Sequence, residues 1–118
     1  MTKPLARYKK GIVSEWVTAL FLTAKGYRVR AMRYKTKHGE IDLVATKGKT
    51  VIFIEVKARD DYATGVEAIL PKSQRRIQAS AEHYMQRHKS LQDYVWRFDA
   101  VVVRMGRLPY HLKDAWRP

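Results

Sequence analysis

The sequence predicts an α/β domain in which helices flank a mixed central sheet, and three observations carry that expectation. Apolar residues recur first at helical spacing, then with strand character in three consecutive segments, then at helical spacing again, and finally in one more strand. The order is helix, three-strand meander, helix, strand. The run Val51-Ile52-Phe53-Ile54 is apolar at every position, as in a strand covered on both faces. The stretch from the third strand through the second helix to the last strand is long enough for a crossover, which should make those two strands parallel.

From Gly11 to Lys25, Val13, Trp16, Val17, Leu20 and Ala24 recur at helical spacing and define the face expected to pack inward, with Gly26 placed to end the helix. Trp16 and Phe21 read as core residues rather than as a platform for bases. Strands are expected over Tyr27–Tyr34, Glu40–Ala45 and Val51–Ala58, with Lys47-Gly48-Lys49 turning the chain between the last two. Asp60 to Gly65 reads as a polar loop. Pro71 opens a helix whose Ile77, Ala81, Tyr84 and Met85 make one stripe. Trp96–Val103 is the final strand, and past Gly106 and Pro109 an aromatic tail with Tyr110 and Trp116 should pack back onto the body.

With 118 residues, 46% of them hydrophobic, the chain should form a single domain, 1–118, around one core. It contains no cysteine, which excludes disulfides and thiolate metal ligands. No apolar stretch is long enough to span a bilayer, and Met1-Thr2-Lys3-Pro4 lacks a signal-type run, so the expectation is a soluble cytoplasmic protein with no membrane partner. Lys and Arg number 24 against 11 acids, a formal charge of +13. That excess favours a polyanion, with nucleic acid foremost. The bases are spread over Arg7, Lys9 and Lys10, the run Arg28 to Lys37, Lys72 to Arg76, and Arg87 to Lys89.

Against this basic background Asp42, Glu55 and Lys57 stand inside apolar strand sequence, where an ionised group costs several kcal/mol unless something pairs with it. If Thr46 and Val51 close a four-residue loop, Asp42 faces Glu55 directly; a two-residue loop at Lys47-Gly48 puts Glu40 there and Asp42 on the diagonal. A one-residue slip would separate the acids. By strand alternation Asp42 should share a face with Glu40 and Val44. Two close carboxylates repel, and a hard cation such as Mg²⁺ or Mn²⁺ resolves this with oxygen ligands from Asp42, Glu55 and a main-chain carbonyl such as that of Val56. Lys57 would then hold the attacking water or offset charge on a phosphate. The same residues also suit an ion network without metal.

Asp42 followed by Glu55-Val56-Lys57, with Ile41 in the proline position, resembles the PD-(D/E)XK nuclease superfamily. Gly11, Glu15, Ala19, Leu22 and Gly26-Tyr27, then Gly39-Glu40-Ile41-Asp42-Leu43, Phe53-Ile54-Glu55-Val56-Lys57-Ala58-Arg59 and Arg97-Phe98-Asp99 resemble the bacterial YraN family of predicted endonucleases. That resemblance covers nearly the whole chain. It implies a restriction-endonuclease-like core distantly similar to archaeal Holliday-junction resolvases. By analogy it also implies a homodimer, branched or junction DNA as substrate, and a helix acid at the metal site, which Glu15 would supply. Glu15 also fits a boundary glutamate paired with a lysine.

The expected activity is therefore hydrolysis of phosphodiester bonds in DNA, with Asp42, Glu55, Lys57 and Glu15 as the catalytic set. Arg33, Lys35, Lys72, Gln74, Arg75 and Arg76 are the candidates for nucleic-acid contact, DNA before RNA. Tyr8 and Tyr34, each beside bases, are the candidates for stacking. Asp99 should be a buried hydrogen-bonding group. The four histidines make no i, i+4 pair for zinc, and no Gly-rich phosphate loop occurs. A binding module without hydrolysis, and an RNA- or ribosome-associated basic protein, are the alternative readings.

Overall fold

The computed structural model describes residues 3–59, 65, 69, 71–104 and 106–117, and of residues 3–10 the backbone alone. The expected loop at 60–64 and the side chains of Arg7, Tyr8, Lys9 and Lys10 lie outside the described residues. Helix α1 spans Lys3–Ala24, beginning well before Gly11. It ends as expected. Gly26, at φ 92°, lets its own amide bond Thr23 O and the Tyr27 amide bond Leu22 O, both at 3.0 Å, the paired bonds of a Schellman motif. Leu22 and Tyr27 then meet in the same core cluster, which fixes where the chain enters the sheet.

Strands β1 (Arg28–Thr36), β2 (Gly39–Lys47), β3 (Thr50–Ala58), β4 (Val95–Val103) and β5 (Tyr110–Trp116) form a sheet in the order β1-β2-β3-β4-β5. Only β3 and β4 run parallel. The β2–β3 register pairs Thr46 with Val51, the first of the two expected arrangements, and continues to Lys47–Thr50. The turn is therefore two residues, Gly48-Lys49, rather than four. Gly48 takes φ 60°, the positive value that the first position of a type II′ turn demands.

Helix α2 (Pro71–Gln86) supplies the crossover between β3 and β4, and its expected stripe of Ile77, Ala81, Tyr84 and Met85 is buried. It packs with Val44, Phe53 and Phe98 on one side of the sheet. Ala19 and Leu22 of α1 pack with Leu43, Ile52, Ile54 and Val101 on the other. This double cover accounts for the uninterrupted apolar run in β3. No described helix is long and apolar enough to cross a membrane.

Two expectations are corrected. Most of the stripe assigned to the core side of α1 faces water, with Val13 52%, Trp16 58% and Leu20 69% exposed, while its Val17 packs against the core. The buried face instead carries Ser14, Glu15, Thr18, Ala19 and Leu22. It tolerates polar groups because they are satisfied: Thr18 Oγ1 donates to Ser14 O at 2.8 Å, and Glu15 is ion-paired. The second concerns the tail: it packs back as expected, Trp116 meeting Phe98 with centroids 5.6 Å apart, but as the regular edge strand β5.

Asp99 explains why β5 is held there. Its carboxylate is fully buried and accepts from Arg97 Nε and Nη2 at 2.8 Å each and from the Asp114 amide at 2.9 Å, with His111 Nε2 at 2.7 Å. A register shift and the left-handed Asp114, φ 55°, turn that amide inward. Burial alone would push the Asp99 carboxyl up, but the bonds from His111, Arg97 and Asp114 outweigh it and hold the group below the usual carboxylate range. Stability from Asp99 is thus fully present above its unfolded pKa, about 3.9, and fades as pH falls through the lower folded value. Asp99→Ala strands Arg97 and His111 without their shared anion, and a loss of about 3 to 5 kcal/mol is expected in urea melts at pH 7.

Candidate functional site

The site lies in a fork of the sheet. Strands β2 and β3 pair only as far as Leu43–Ile54. Beyond that, β2 stays with β1 down to Gly39 and β3 continues beside β4 to Ala58. Extending the register by one pair sets Asp42 opposite Glu55 at the mouth of the opening. There Asp42 Oδ2 accepts the Val56 amide at 2.8 Å, a side-chain bond where the backbone ladder has stopped.

Arg33 stands across β1 from Asp42, between the pairs Met32–Leu43 and Tyr34–Ile41. Its φ of 54° is left-handed, which for a side-chain-bearing residue costs on the order of 1–2 kcal/mol. Here the alternation of both strands breaks. Met32 and Leu43 pack under α1, whereas Tyr34 and Ile41 pack under α2. The expectation that Asp42 shares a face with Val44 fails for this reason: Val44 lies in the α2-side core and Asp42 meets Glu15 of α1.

Glu15, Glu40 and Asp42 each offer a carboxylate oxygen within 4.8 Å of the other two. Arg33 reaches into this group, Nη1 at 3.1 Å from Glu15 and Nε at 3.8 Å from Glu40. Glu55 stands outside the closest set and pairs with Lys57 at 3.1 Å, yet its charge acts on both Asp42 and Glu15. Among the described residues two cations, Arg33 and Lys57, thus face four carboxylates. Burial, and next the Glu55 charge, push the Asp42 carboxyl up to about 8 against the help of the Val56 amide. Burial also raises Glu15, opposed by Arg33. A set of hard oxygen donors short of positive charge suits Mg²⁺ or Mn²⁺ rather than zinc. Oxygens around an octahedral Mg²⁺ sit about 2.9 to 4.2 Å apart, so the observed spacing needs little contraction.

Residues 14–103 match the model of Uncharacterised protein family UPF0102. The chain belongs to that family. It is similar to a UPF0102 protein of Parvibaculum lavamentivorans, 46% identical over 114 residues, 97% of this chain and 86% of the relative. Others are UPF0102 proteins of Rhizobium etli (strain CIAT 652), 44% identical, and Agrobacterium fabrum, 43% identical, each over 108 residues, 92% of this chain and 88% of the relative. The span matched by the UPF0102 model includes all four fork acids, Arg33, Lys57 and α2, and stops before β5.

Of the residues singled out in the sequence, Asp42, Glu55, Lys57, Glu15 and Arg33 converge in this UPF0102 chain. Arg33 is engaged by acids, and Val56 contributes its amide to Asp42. Glu40, which the sequence places on the face of Asp42, is a member of the close triad and pairs with Arg33 of β1. Alternate spacing with Asp42 was the signal for it. Lys35 is exposed on edge strand β1, and Lys72, Arg75 and Arg76 are exposed on the first turns of α2. That end of α2 lies over the β1–β2 turn: Ser80 bonds Thr36 at 2.8 Å and Arg76 packs against Gly39. Gln74 Nε2 donates to Ile69 O at 3.2 Å. Tyr34, a stacking candidate by sequence, turns inward to His83 and Tyr84.

The raised Asp42 carboxyl has a direct consequence for stability. Below about pH 4 both folded and unfolded chains hold its proton. Between about 4 and 8 only the folded chain does, so stability falls as pH rises, and above 8 the whole penalty of the buried charge is present. Asp42→Asn keeps an oxygen for the Val56 amide. It should stabilise the metal-free chain progressively from pH 4 to 8, by up to several kcal/mol, and have no effect below pH 4. Urea melts in EDTA across that range measure it, and a pH-independent difference would refute the assignment.

Proposed function

We propose that this chain is a divalent-cation-dependent endonuclease with a restriction-endonuclease-like core, hydrolysing phosphodiester bonds in DNA. The observation that carries this reading is the charge imbalance in the fork: four converging carboxylates, one pushed up to about 8, inside a chain of net charge +13. Such a cluster is costly for folding alone, and a cation together with a phosphate backbone compensates both the local negative and the global positive excess. Asp42, Glu15 and Glu40 are the residues that would hold the cation, with Glu55 beside them. When bound, the cation would lower the pKa of a water and neutralise phosphate charge.

Lys57, kept in place by Glu55, is set to orient a water or stabilise charge growing on the phosphate. The exposed bases of β1 and of the α2 N-terminal turns, the latter over the β1–β2 turn, would guide the backbone toward the fork. Support for the fold reading comes from the Asp42 and Glu55-Val56-Lys57 arrangement on adjacent strands. A second reading, nucleic-acid binding without hydrolysis, draws on Arg33, which already neutralises part of the acid cluster. The two differ in their response to metal.

Mn²⁺ titration followed by calorimetry should show binding that is lost in Asp42→Ala, and supercoiled, branched and single-stranded DNA should be cut only with Mg²⁺ or Mn²⁺. Lys57→Ala should keep metal binding and lose cleavage by about 100-fold or more, as for removal of a donor worth roughly 3 to 4 kcal/mol in the transition state. Equal cleavage by the lysine variant removes its role. Absence of both metal binding and cleavage in the wild type favours the binding module.

The guiding role of α2 is separable. Each phosphate contact contributes about 0.9 to the slope of log affinity against log salt on duplex DNA, so Arg75→Ala with Arg76→Ala should flatten that slope and weaken binding most at low salt. Asp42→Ala should leave the slope unchanged. An unaltered slope in the arginine double variant would exclude this end of α2 as a contact.

A further inference from the structure

Trp16 is the residue next to Glu15 on α1, about 1.5 Å further along the axis and 100° around it, so an acid of the fork and an indole leave the same helix turn. Glu15 is buried and Trp16 is 58% exposed. Val13 and Leu20, at i−3 and i+4, continue the exposed apolar row along the helix. Tryptophan is highly buried on average, and the core side of α1 is filled without it by Ala19 and Leu22.

We infer that this row is a stacking surface for unpaired bases of the DNA strand cut at the fork, with Trp16 as the principal contact, so that the substrate class is DNA with a single-stranded stretch at the scissile phosphate. The inference rests on the endonuclease reading of the fork. A phosphate held through a cation at the acid cluster would bring the base of its own or the neighbouring nucleotide toward the next helix position. In a duplex that base is stacked and paired, and its π-face is closed to an indole; in a single strand it is open. A second copy of this chain fits less well. Three side chains expose on the order of a few hundred Å², below the roughly 800 Å² per partner of a standard interface, and two chains of charge +13 repel.

The test is fluorescence anisotropy with a labelled dT15 oligonucleotide and a labelled 15-base-pair duplex, in EDTA so that neither is cut. Trp16→Ala removes little buried surface, and its thermal melt reports that it folds. It should weaken dT15 binding about 5- to 100-fold, leave duplex binding within about twofold, and leave the salt slope unchanged, because stacking releases no counterions. Trp16→Phe should recover most of the loss. Unchanged dT15 affinity in Trp16→Ala overturns the inference, as does an equal loss on the duplex. A shift from dimer to monomer in sedimentation on Trp16→Ala also overturns it, assigning the row to a second copy. Metal binding and cleavage by the wild type are read separately. If both are absent while the single-strand selectivity of Trp16 holds, the endonuclease reading fails and the stacking surface stands.

Discussion

The parting of β2 from β3 at Asp42 is the constraint on which the rest of the site depends. Where the ladder stops, the Val56 amide loses its strand partner and Asp42 takes it, which draws a carboxylate into a half-buried position beside Glu55. Ionising such a group needs positive charge near it. Arg33 supplies part of this from the facing strand, adopting a left-handed backbone to turn its guanidinium toward Glu15 and Glu40. The strain at Arg33, the broken alternation of two strands and the upward shift of Asp42 have one origin. They form a group of local exceptions whose costs are met by the regular pairing around them, which is the usual signature of a site rather than of a fold.

Helix α1 shows the same conflict on a larger scale. An ordinary surface helix buries its apolar stripe, yet this one directs Glu15, Ser14 and Thr18 inward and leaves Val13, Trp16 and Leu20 in water. Its attachment comes from elsewhere: Ala19 and Leu22 in the core, the Schellman end at Gly26, and Lys25 Nζ at 2.7 Å from His111 Nδ1 of β5. Rotating the helix to bury the tryptophan would withdraw Glu15 from Arg33 and leave Arg33 strained with less to hold. The orientation of α1 is therefore coupled to the acid cluster through one ion pair.

What could be read from the sequence follows from which signals are local. The meander, the β2–β3 register, the parallel crossover and the α2 stripe were legible because strand and helix periods are written directly in Val51 to Ile54 and in Ile77, Ala81, Tyr84 and Met85. The placing of Asp42 opposite Glu55 was one of two arrangements the loop allowed, and the face on which Asp42 lies was not legible, because alternation breaks there. The inward face of α1 was legible only in part: Val17 and Phe21 were read into the core, but Ala19 and Leu22 compete with Val13, Trp16 and Leu20 for it, and the pairing of Glu15 with Arg33 is a long-range contact that helical period does not carry. Strand β5 was missed for a similar reason. Residues Tyr110 to Trp116 mix charge and apolar character, and they become a strand because Asp99 gathers His111 and the Asp114 amide across a register shift.

Asp42 and Asp99 make the physical argument within one molecule. Both are aspartates in strands of the same sheet, and burial pushes the carboxyl of each upward. Asp99 is surrounded by an arginine bound through two nitrogens, a histidine and a backbone amide, and the balance falls below the usual range. Asp42 has one backbone amide and three carboxylates for neighbours, and the balance rises to about 8. Asp99 is the more deeply buried of the two and yet the one shifted down, so the difference lies in the partners. The chain has the means to satisfy a buried aspartate and uses them at Asp99. At Asp42, among the described residues, carboxylates stand where Asp99 has a guanidinium and an imidazole, and the balance runs the other way.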